Sequence, residues 1–264
     1  MVRRFSITRN SVLALVIIGD EILSGKVVDE NLPFMIDRFS RAGYPPCEVR
    51  VIGDDVALIS RTVRELMEHY SFVVTTGGVG PTHDDLTHAG VAAAFGVPLQ
   101  ANSDMLAFLS AAHNNRLTSG IRRMAMLPQG SEVIGREDGG WPIIRKRNCF
   151  MLPGLPRALQ DKIPRLIALL PELTPAWDAA VYLDAEEVLF AEWLEQLQRT
   201  HTEVSIGSYP VSRNPEYKTR ITVSAPYREP VVEVQHQIER FARDRHWYVR
   251  SDVPASRGSI AHGG

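Results

Sequence analysis

The sequence predicts a three-layer α/β/α fold with a mostly parallel sheet, followed by a small α+β unit of split βαβ type. Three observations carry this reading. Continuous apolar runs end in glycine and aspartate, helical apolar spacing follows each run, and the pattern changes past a stretch bracketed by prolines, Leu170-Pro171-Glu172-Leu173-Thr174-Pro175.

The first run, VLALVII over 12–18, is β-branched and unbroken, as suits a parallel strand buried on both faces, and it stops at Gly19-Asp20-Glu21. A helix is expected over 30–42, where Leu32, Met35, Ile36 and Phe39 share one face before Gly43. The unit then repeats. A short strand over 49–52 meets Gly53-Asp54-Asp55, and a helix follows through Val56, Ile59, Val63 and Leu66. The third unit has a strand over 72–75, a glycine-rich loop over 77–85 and a helix over 86–95 closed by Gly96. Such alternation implies parallel strands joined by right-handed crossovers, with helices on both faces.

Beyond Pro98 the expected elements are helices over 103–112 and 121–126 and a small hairpin, 132–134 with 141–146, around Asp138-Gly139-Gly140. A core strand over 149–152 breaks at Pro153-Gly154-Leu155-Pro156, and a single helix over 157–170 closes the domain. The second unit reads as strand 180–183, helix 186–199, strands 203–207 and 217–224, helix 229–243 and strand 247–250. The resulting boundaries are a flexible start at 1–10, an α/β domain at 11–170, a linker at 171–175, a small domain at 176–252 and a flexible tail at 253–264.

Composition narrows the function classes. In 264 residues, 44% apolar and 23% charged content is ordinary for a globular protein, and a net charge of -2 without a basic run argues against nucleic-acid binding. Cys47 and Cys149 lack metal-ligand spacing and read as small hydrophobes. The run at 12–18 is too short to span a bilayer, and Arg3-Arg4 is not followed by an export signal, so a cytoplasmic protein with no membrane partner is expected.

Ligands of open parallel sheets bind beyond the carboxyl ends of the strands, and here those positions are acidic: Asp20 and Glu21, Asp54 and Asp55, Asp84 and Asp85. Aspartate is also the common helix cap. Thr82 with Asp85 forms a loose capping box, and Asp54 is placed to cap the helix after it. Capping needs one acceptor per helix, and tandem acids at three turns exceed that. The glycine loop fits neither a Walker motif, since no lysine and hydroxyl follow Gly80, nor a dinucleotide fingerprint, since His83 stands where glycine is required. The physical solution is a pyrophosphate ligand held by the amides of Gly77 to Gly80, with a divalent cation bridging its oxygens to Asp84 and Asp85 first, then Asp54 and Asp20. His83 reads as solvent-facing and His88 as still less suited to proton transfer, while Arg122, Arg123 and Lys146 are candidate phosphate neutralisers. Ser24 and Ser119 lie outside any nucleophile elbow, which argues against acyl transfer.

The ordered set Gly19-Asp20-Glu21-Ile22-Leu23-x-Gly25, Asn31, Gly53-Asp54, Thr76-Gly77-Gly78-x-Gly80-Pro81-Thr82-x-Asp84-Asp85-Leu86-Thr87 and Leu152-Pro153-Gly154-x-Pro156 resembles the molybdopterin-binding domain of CinA-like (competence/damage-inducible) proteins. It is also similar to the N-terminal domain of eukaryotic FAD synthases, and Ile206-Gly207-Ser208-Tyr209-Pro210 is similar to the segment that follows in both groups. The resemblance implies a domain that binds a pterin or adenine nucleotide through its pyrophosphate, a divalent metal such as magnesium, manganese or cobalt, possession of pyrophosphatase activity on ADP-ribose or FAD, and a homodimer. It makes Asp85 the metal-linked catalytic acid with Asp54 and Asp20 as its partners; from the residues themselves Asp84 joins Asp85 and Asp54 as a catalytic candidate and Asp85 and Asp20 as a metal ligand. It places Gly19, Asp20, Glu21, Asn31, Thr76, Gly77, Gly78, Gly80, Pro153 and Gly154 in the binding set. Two departures, Val79 for the threonine of a Gly-Thr-Gly block and His88-Ala89 after Thr87, weaken molybdopterin adenylylation or metal insertion, and the matched residues imply neither amidohydrolase nor synthase activity. A non-catalytic module that holds molybdopterin or a nucleotide is the alternative.

Overall fold

The computed structural model describes residues 12–135, 140–171, 176–212 and 214–256. The expected flexible start, residues 172–175 of the linker, 136–139 of the hairpin and 257–264 of the tail lie outside the described residues. The chain divides into two compact units.

In the first unit the elements run β1 (Leu13–Ile18), α1 (Asp20–Leu23), α2 (Asn31–Arg41), β2 (Glu48–Ile52), α3 (Val56–His69), β3 (Phe72–Thr76), α4 (Thr87–Phe95), β4 (Leu99–Ala101), α5 (Ser103–Ala112), α6 (Ser119–Met124), β5 (Met126–Pro128), β6 (Glu132–Ile134), β7 (Ile143–Lys146), β8 (Cys149–Leu152), α7 (Pro156–Gln160) and α8 (Ile163–Leu169). Six strands form one sheet in the order β2-β1-β3-β8-β7-β6. The first four are mutually parallel, and β7 and β6 add antiparallel. Every residue of β1 is buried, as its unbroken apolar run requires at the centre of a sheet covered on both sides. Ala14, Val16 and Ile18 share a cluster with Ile59, Val63 and Leu66 of α3, Val91 of α4 and Met105 and Leu109 of α5. The alternate residues Leu13, Leu15 and Ile17 are equally buried, as are Met35 and Phe39 of α2 and Leu159, Ile163 and Leu166 of α7 and α8.

Caps fix the helix ends. Asp55 accepts from the Leu58 amide at 2.7 Å, so it caps α3, and Asp54, expected in that role, is free for another. Asn102 and Thr118 cap α5 and α6 in the same way, and Gly96 closes α4 in the left-handed region.

The structure corrects several sequence-based elements. The turn at Asp20 is one turn of helix. The helix expected to run to residue 126 ends at Met124, because Met126–Pro128 pairs antiparallel with Leu99–Ala101. The single helix expected over 157–170 is two, because Pro164 can occupy the first turn of a helix but not its interior.

The second unit runs β9 (Trp177–Leu183), a 3₁₀ turn at Glu187–Leu189, α9 (Ala191–Thr200), β10 (Ser205–Pro210), β11 (Thr219–Ala225), α10 (Arg228–Arg243), β12 (Tyr248–Ser251) and β13 (Ala255–Ser256). Its antiparallel sheet has the order β10-β11-β9-β12, the split βαβ arrangement, and β13, inside the segment read as a tail, pairs with β9. The helix expected from 186 begins only at Ala191, after Phe190 buries its ring. The edge strand β10 is guarded: Gln198 accepts from the Ile206 amide at 2.8 Å and donates to the Val204 carbonyl at 2.9 Å. Pro210 then removes a donor at its end.

Helices α3 and α4 approach so closely at Gly90 that a Cβ there would meet the Ile59 Cβ at 2.5 Å. Gly90→Ala should therefore destabilise the protein by about 1–3 kcal/mol in urea titration, although alanine is the better helix former. Unchanged or raised stability would contradict this packing.

Candidate functional site

The chain leaves β1 for the edge strand β2 and returns across it to β3, so the loops after β1 and β3 diverge at a topological switch point. The strand ends are in backbone contact. Gly77 and Gly78 have φ of 94° and 62°, and a side chain on Gly77 would strike the Ile18 carbonyl. A Cβ on Gly154, just after β8, would stand 3.2 Å from Gly77 Cα. Thr87 closes the loop from its far end, donating its amide to Gly78 O at 2.9 Å and its hydroxyl to Gly77 O at 2.7 Å.

The acids are seated on glycines. Glu21 Oε1 lies 2.5 Å from where a Cβ on Gly19 would be, Asp20 Oδ1 lies over Gly53, and Asp85 Oδ2 is 2.7 Å from the corresponding point on Gly80. Asp20 and Asp54 exchange bonds: the Asp20 amide donates to Asp54 Oδ2 at 2.9 Å and the Asp54 amide to Asp20 Oδ1 at 3.3 Å. The other Asp54 oxygen, Oδ1, lies beside Gly78. Burial, and then the charges of Glu21, Asp20 and Asp84, hold the Asp54 carboxyl above its ordinary range, against the Asp20 amide bond. Asp84 is exposed, and the nearby Thr82 hydroxyl and its own amide hold it low.

Asp85 turns inward to the loop. It accepts from the Gly80 amide at 2.7 Å, the Thr82 amide at 2.7 Å and the Thr82 hydroxyl at 2.5 Å. Its first action is to shape the Gly80–Thr82 turn, so the pair expected as a capping box closes a turn ahead of α4, whose N-cap Leu86 makes no side-chain cap bond. The glycine amides are thereby divided. Gly19 donates to Ile52 O, Gly77 to Leu152 O and Gly80 to Asp85, while the amides of Gly78 and Val79 donate to no protein acceptor among the described residues.

Asn31, Thr76, Pro153 and Gly154 come together at the carboxyl ends of β3 and β8. Thr76 Oγ1 donates to Pro153 O at 2.8 Å, and Asn31 Nδ2 donates to Gly154 O at 2.7 Å and to Thr76 Oγ1 at 3.5 Å. Asn31 Oδ1 is buried and has no partner among the described residues. Asp29, which sequence reasoning passed over, caps α2 through the amides of Asn31 and Leu32 at 3.1 Å each, and so sets the Asn31 position. Its signal was its place just ahead of the helical pattern.

Of the other candidates, Arg123 Nη1 donates to Pro81 O at 3.1 Å and Gly120 packs on Pro81, so α6 braces the loop from outside. Lys146 is spent on Gln129 O. His83 is 94% exposed, 4.0 Å from Asp84. Among the described residues no three His, Cys, Asp or Glu side chains converge as a ready ligand set, so a cation here would need oxygens from its ligand and water, as magnesium accepts.

Against known proteins, residues 14–173 match the family model described as probable molybdopterin binding domain, and residues 175–248 match the FAD synthase middle domain. A protein of Archaeoglobus fulgidus is 30% identical over 231 residues, covering 88% of this chain and 98% of that one. A probable FAD synthase of Caenorhabditis elegans is 31% identical over 243 residues and 82% of this chain, which spans about half of it, 47%. The crystal structure of the protein CinA, of unknown function, from Thermoplasma acidophilum superposes with a TM-score of 0.54 at 30% identity, covering 60% of this chain and 96% of that one.

His88 is a buried residue of α4. It is 7% exposed, its ring donates to the Met126 carbonyl, and Nε2 has no partner. Burial drives its pKa down to about 4, with the Asp85 charge and the Met126 bond opposing. The imidazole is neutral in the folded protein while the unfolded chain protonates near 6.5, so its contribution is complete above pH 6.5 and is lost as pH falls toward 4. Between pH 7 and pH 4.5 wild type should lose up to about 3 kcal/mol through this group. His88→Asn should show a shallower acid limb in urea titrations at the two pH values. Parallel limbs would contradict the assignment.

Proposed function

We propose, on the premise that the chain belongs to the probable molybdopterin binding domain family, that it is a divalent-metal-dependent nucleotide pyrophosphatase acting on ADP-ribose, FAD or a related dinucleotide. One observation carries the reading: the amides of Gly78 and Val79 donate to no protein acceptor among the described residues, and Gly78 lies beside Asp54, on which the charges of Asp20 and Asp84 bear. Bare phosphate would be repelled by three carboxylates. Magnesium, manganese or cobalt, when bound, would supply the charge that makes the two compatible and would withdraw charge from the phosphoryl oxygens.

In this reading Asp54 and Asp84 offer the ligating oxygens, with Asp20 the third, and the raised Asp54 carboxyl gains from a nearby cation what burial takes away. Gly78 and Val79 hold one phosphate, and Asp85 acts by fixing the turn that presents them. Water adds at one phosphorus, the P–O–P bridge opens, and two monophosphates leave with the released protons. A homodimer and a cytoplasmic setting accompany the proposal as expectations of the resemblance and the composition.

The second reading, a molybdopterin or nucleotide module that does not cleave its ligand, is favoured by the histidines. His88 is buried against Met126 and His83 projects into solvent. Neither stands as a general acid at the free amides.

With ADP-ribose or FAD and magnesium, manganese or cobalt, wild type should release AMP, followed by chromatography. Asp54→Asn and Asp84→Asn should lower the rate by at least about 100-fold with thermal midpoints within a few degrees of wild type. Asp85→Asn should lose both rate and about 1–3 kcal/mol of stability, because its turn loses charge-assisted bonds. Tight pterin binding with no AMP from any dinucleotide would favour the second reading.

A further inference from the structure

The sheets end in strands of unlike character. In the second unit β10 is closed off by Gln198 and Pro210, and in the first unit β6 ends the sheet after three residues. At the opposite end of that sheet β2 pairs with β1 alone, in unbroken register up to Ile52, and carries no proline or bulge. An edge of this kind is open to a further strand.

What β2 offers follows from its ladder. In a parallel pair alternate residues turn both backbone groups to the neighbour, and the bond from the Gly19 amide to Ile52 O at 3.0 Å, with Ile18 opposite Ile52, sets the phase. Glu48, Arg50 and Ile52 therefore bond to β1, while the N–H and C=O of Val49 and Val51 face outward. Their side chains stand in water as well, 36% and 39% exposed. Leu23, 57% exposed, extends the row, with Cδ1 3.6 Å from where a Cβ on Gly53 would be. The charges of the strand do not bar the edge. Arg50 is drawn toward α3 by two bonds to Glu65 at 2.9 Å each, and Glu48 accepts from Arg50 at 2.6 Å and from the Tyr70 hydroxyl at 2.8 Å.

Charge then selects the occupant. Glu48-Val49-Arg50 reverses its charge about Val49, so the strand complements its own copy run antiparallel. Outward residues must face outward residues, which leaves three registers with two-fold symmetry. Val49 opposite Val49 sets Glu48 of each copy against Arg50 of the other. Val49 opposite Val51 sets Arg50 against Arg50, and Val51 opposite Val51 sets Arg50 against Ile52. Opposite charges stabilise a cross-strand pair and like charges destabilise it, so the first register is favoured.

We propose that β2 is the surface on which a second copy of this chain docks, antiparallel about a two-fold axis at Val49, so that two six-stranded sheets become one. The homodimer expected from the resemblance names no surface, and this one stands apart from the pyrophosphate reading. At the axis the two Val49 residues exchange both backbone bonds, with Cα atoms about 5.5 Å apart, inside the roughly 4.4–6.8 Å that a disulfide spans. The two Val51 residues lie about four residues apart along the strands, roughly 13 Å, and are out of reach of each other.

Cross-linking of the full chain tests this register. In a Cys47→Ser background, with Cys149 buried, Val49→Cys and Val51→Cys are oxidised in parallel and read by non-reducing electrophoresis. Val49→Cys should form the disulfide dimer at least about tenfold faster than Val51→Cys. Sedimentation equilibrium should show wild type as a dimer, and Val49→Lys, at an exposed site and with an unchanged circular dichroism spectrum, should weaken it at least about tenfold, because two ammonium groups meet at the axis. Cross-linking through Val51 in preference, none through Val49, or a monomeric wild type overturns the proposal. A dimer indifferent to Val49→Lys also overturns it, and assigns the expected homodimer to another surface.

Discussion

The rest of the structure depends on the backbone contact between the ends of β1, β3 and β8. Gly77 has no room for a Cβ against the Ile18 carbonyl, and Gly154 packs on Gly77 from the other side. The central strands are almost wholly buried, with Thr75 and Thr76 the polar members, so they converge tightly at their carboxyl ends and only glycine fits where they meet. From that convergence follow the left-handed turn at Gly77 and Gly78, its return bonds from Thr87, and the position of α4.

The same economy of space explains why a loop of glycines carries so many acids. Gly19, Gly53 and Gly80 admit the chain's own carboxylates onto their backbone, and Asp85 takes an amide that a phosphate would otherwise use. Glycine in this loop serves the acids first. What is left for a ligand is narrow, the amides of Gly78 and Val79 with Asp54 beside Gly78, and the burial of Asp54 among like charges makes that place favourable to a cation.

Much of this was legible in the sequence. The buried strands and their helices announced themselves by period and by Gly43 and Gly96, and the three acidic turns were placed at one end of the sheet by topology alone. What the sequence left hidden were choices among neighbours of the same type. Asp54 and Asp55 both suit a cap, and only the geometry gives the cap to Asp55 and leaves Asp54 to Asp20. Asp84 and Asp85 likewise part company, one toward solvent and one into the turn. The short strands β4 and β5 were missed because three residues carry no period, and the break between α7 and α8 because Pro164 sits inside an otherwise helical pattern.

The central claim is that the chain's own acids occupy part of the loop and leave two amides to the ligand. Backbone amide NMR of the labelled protein, titrated with magnesium pyrophosphate, tests it directly. The account predicts that the Gly78 and Val79 amides shift on saturation, while the Gly80 amide stays protected from exchange by its bond to Asp85. Large shifts at Gly80 and Thr82 with Gly78 and Val79 unmoved would show that the ligand displaces Asp85, and would contradict it.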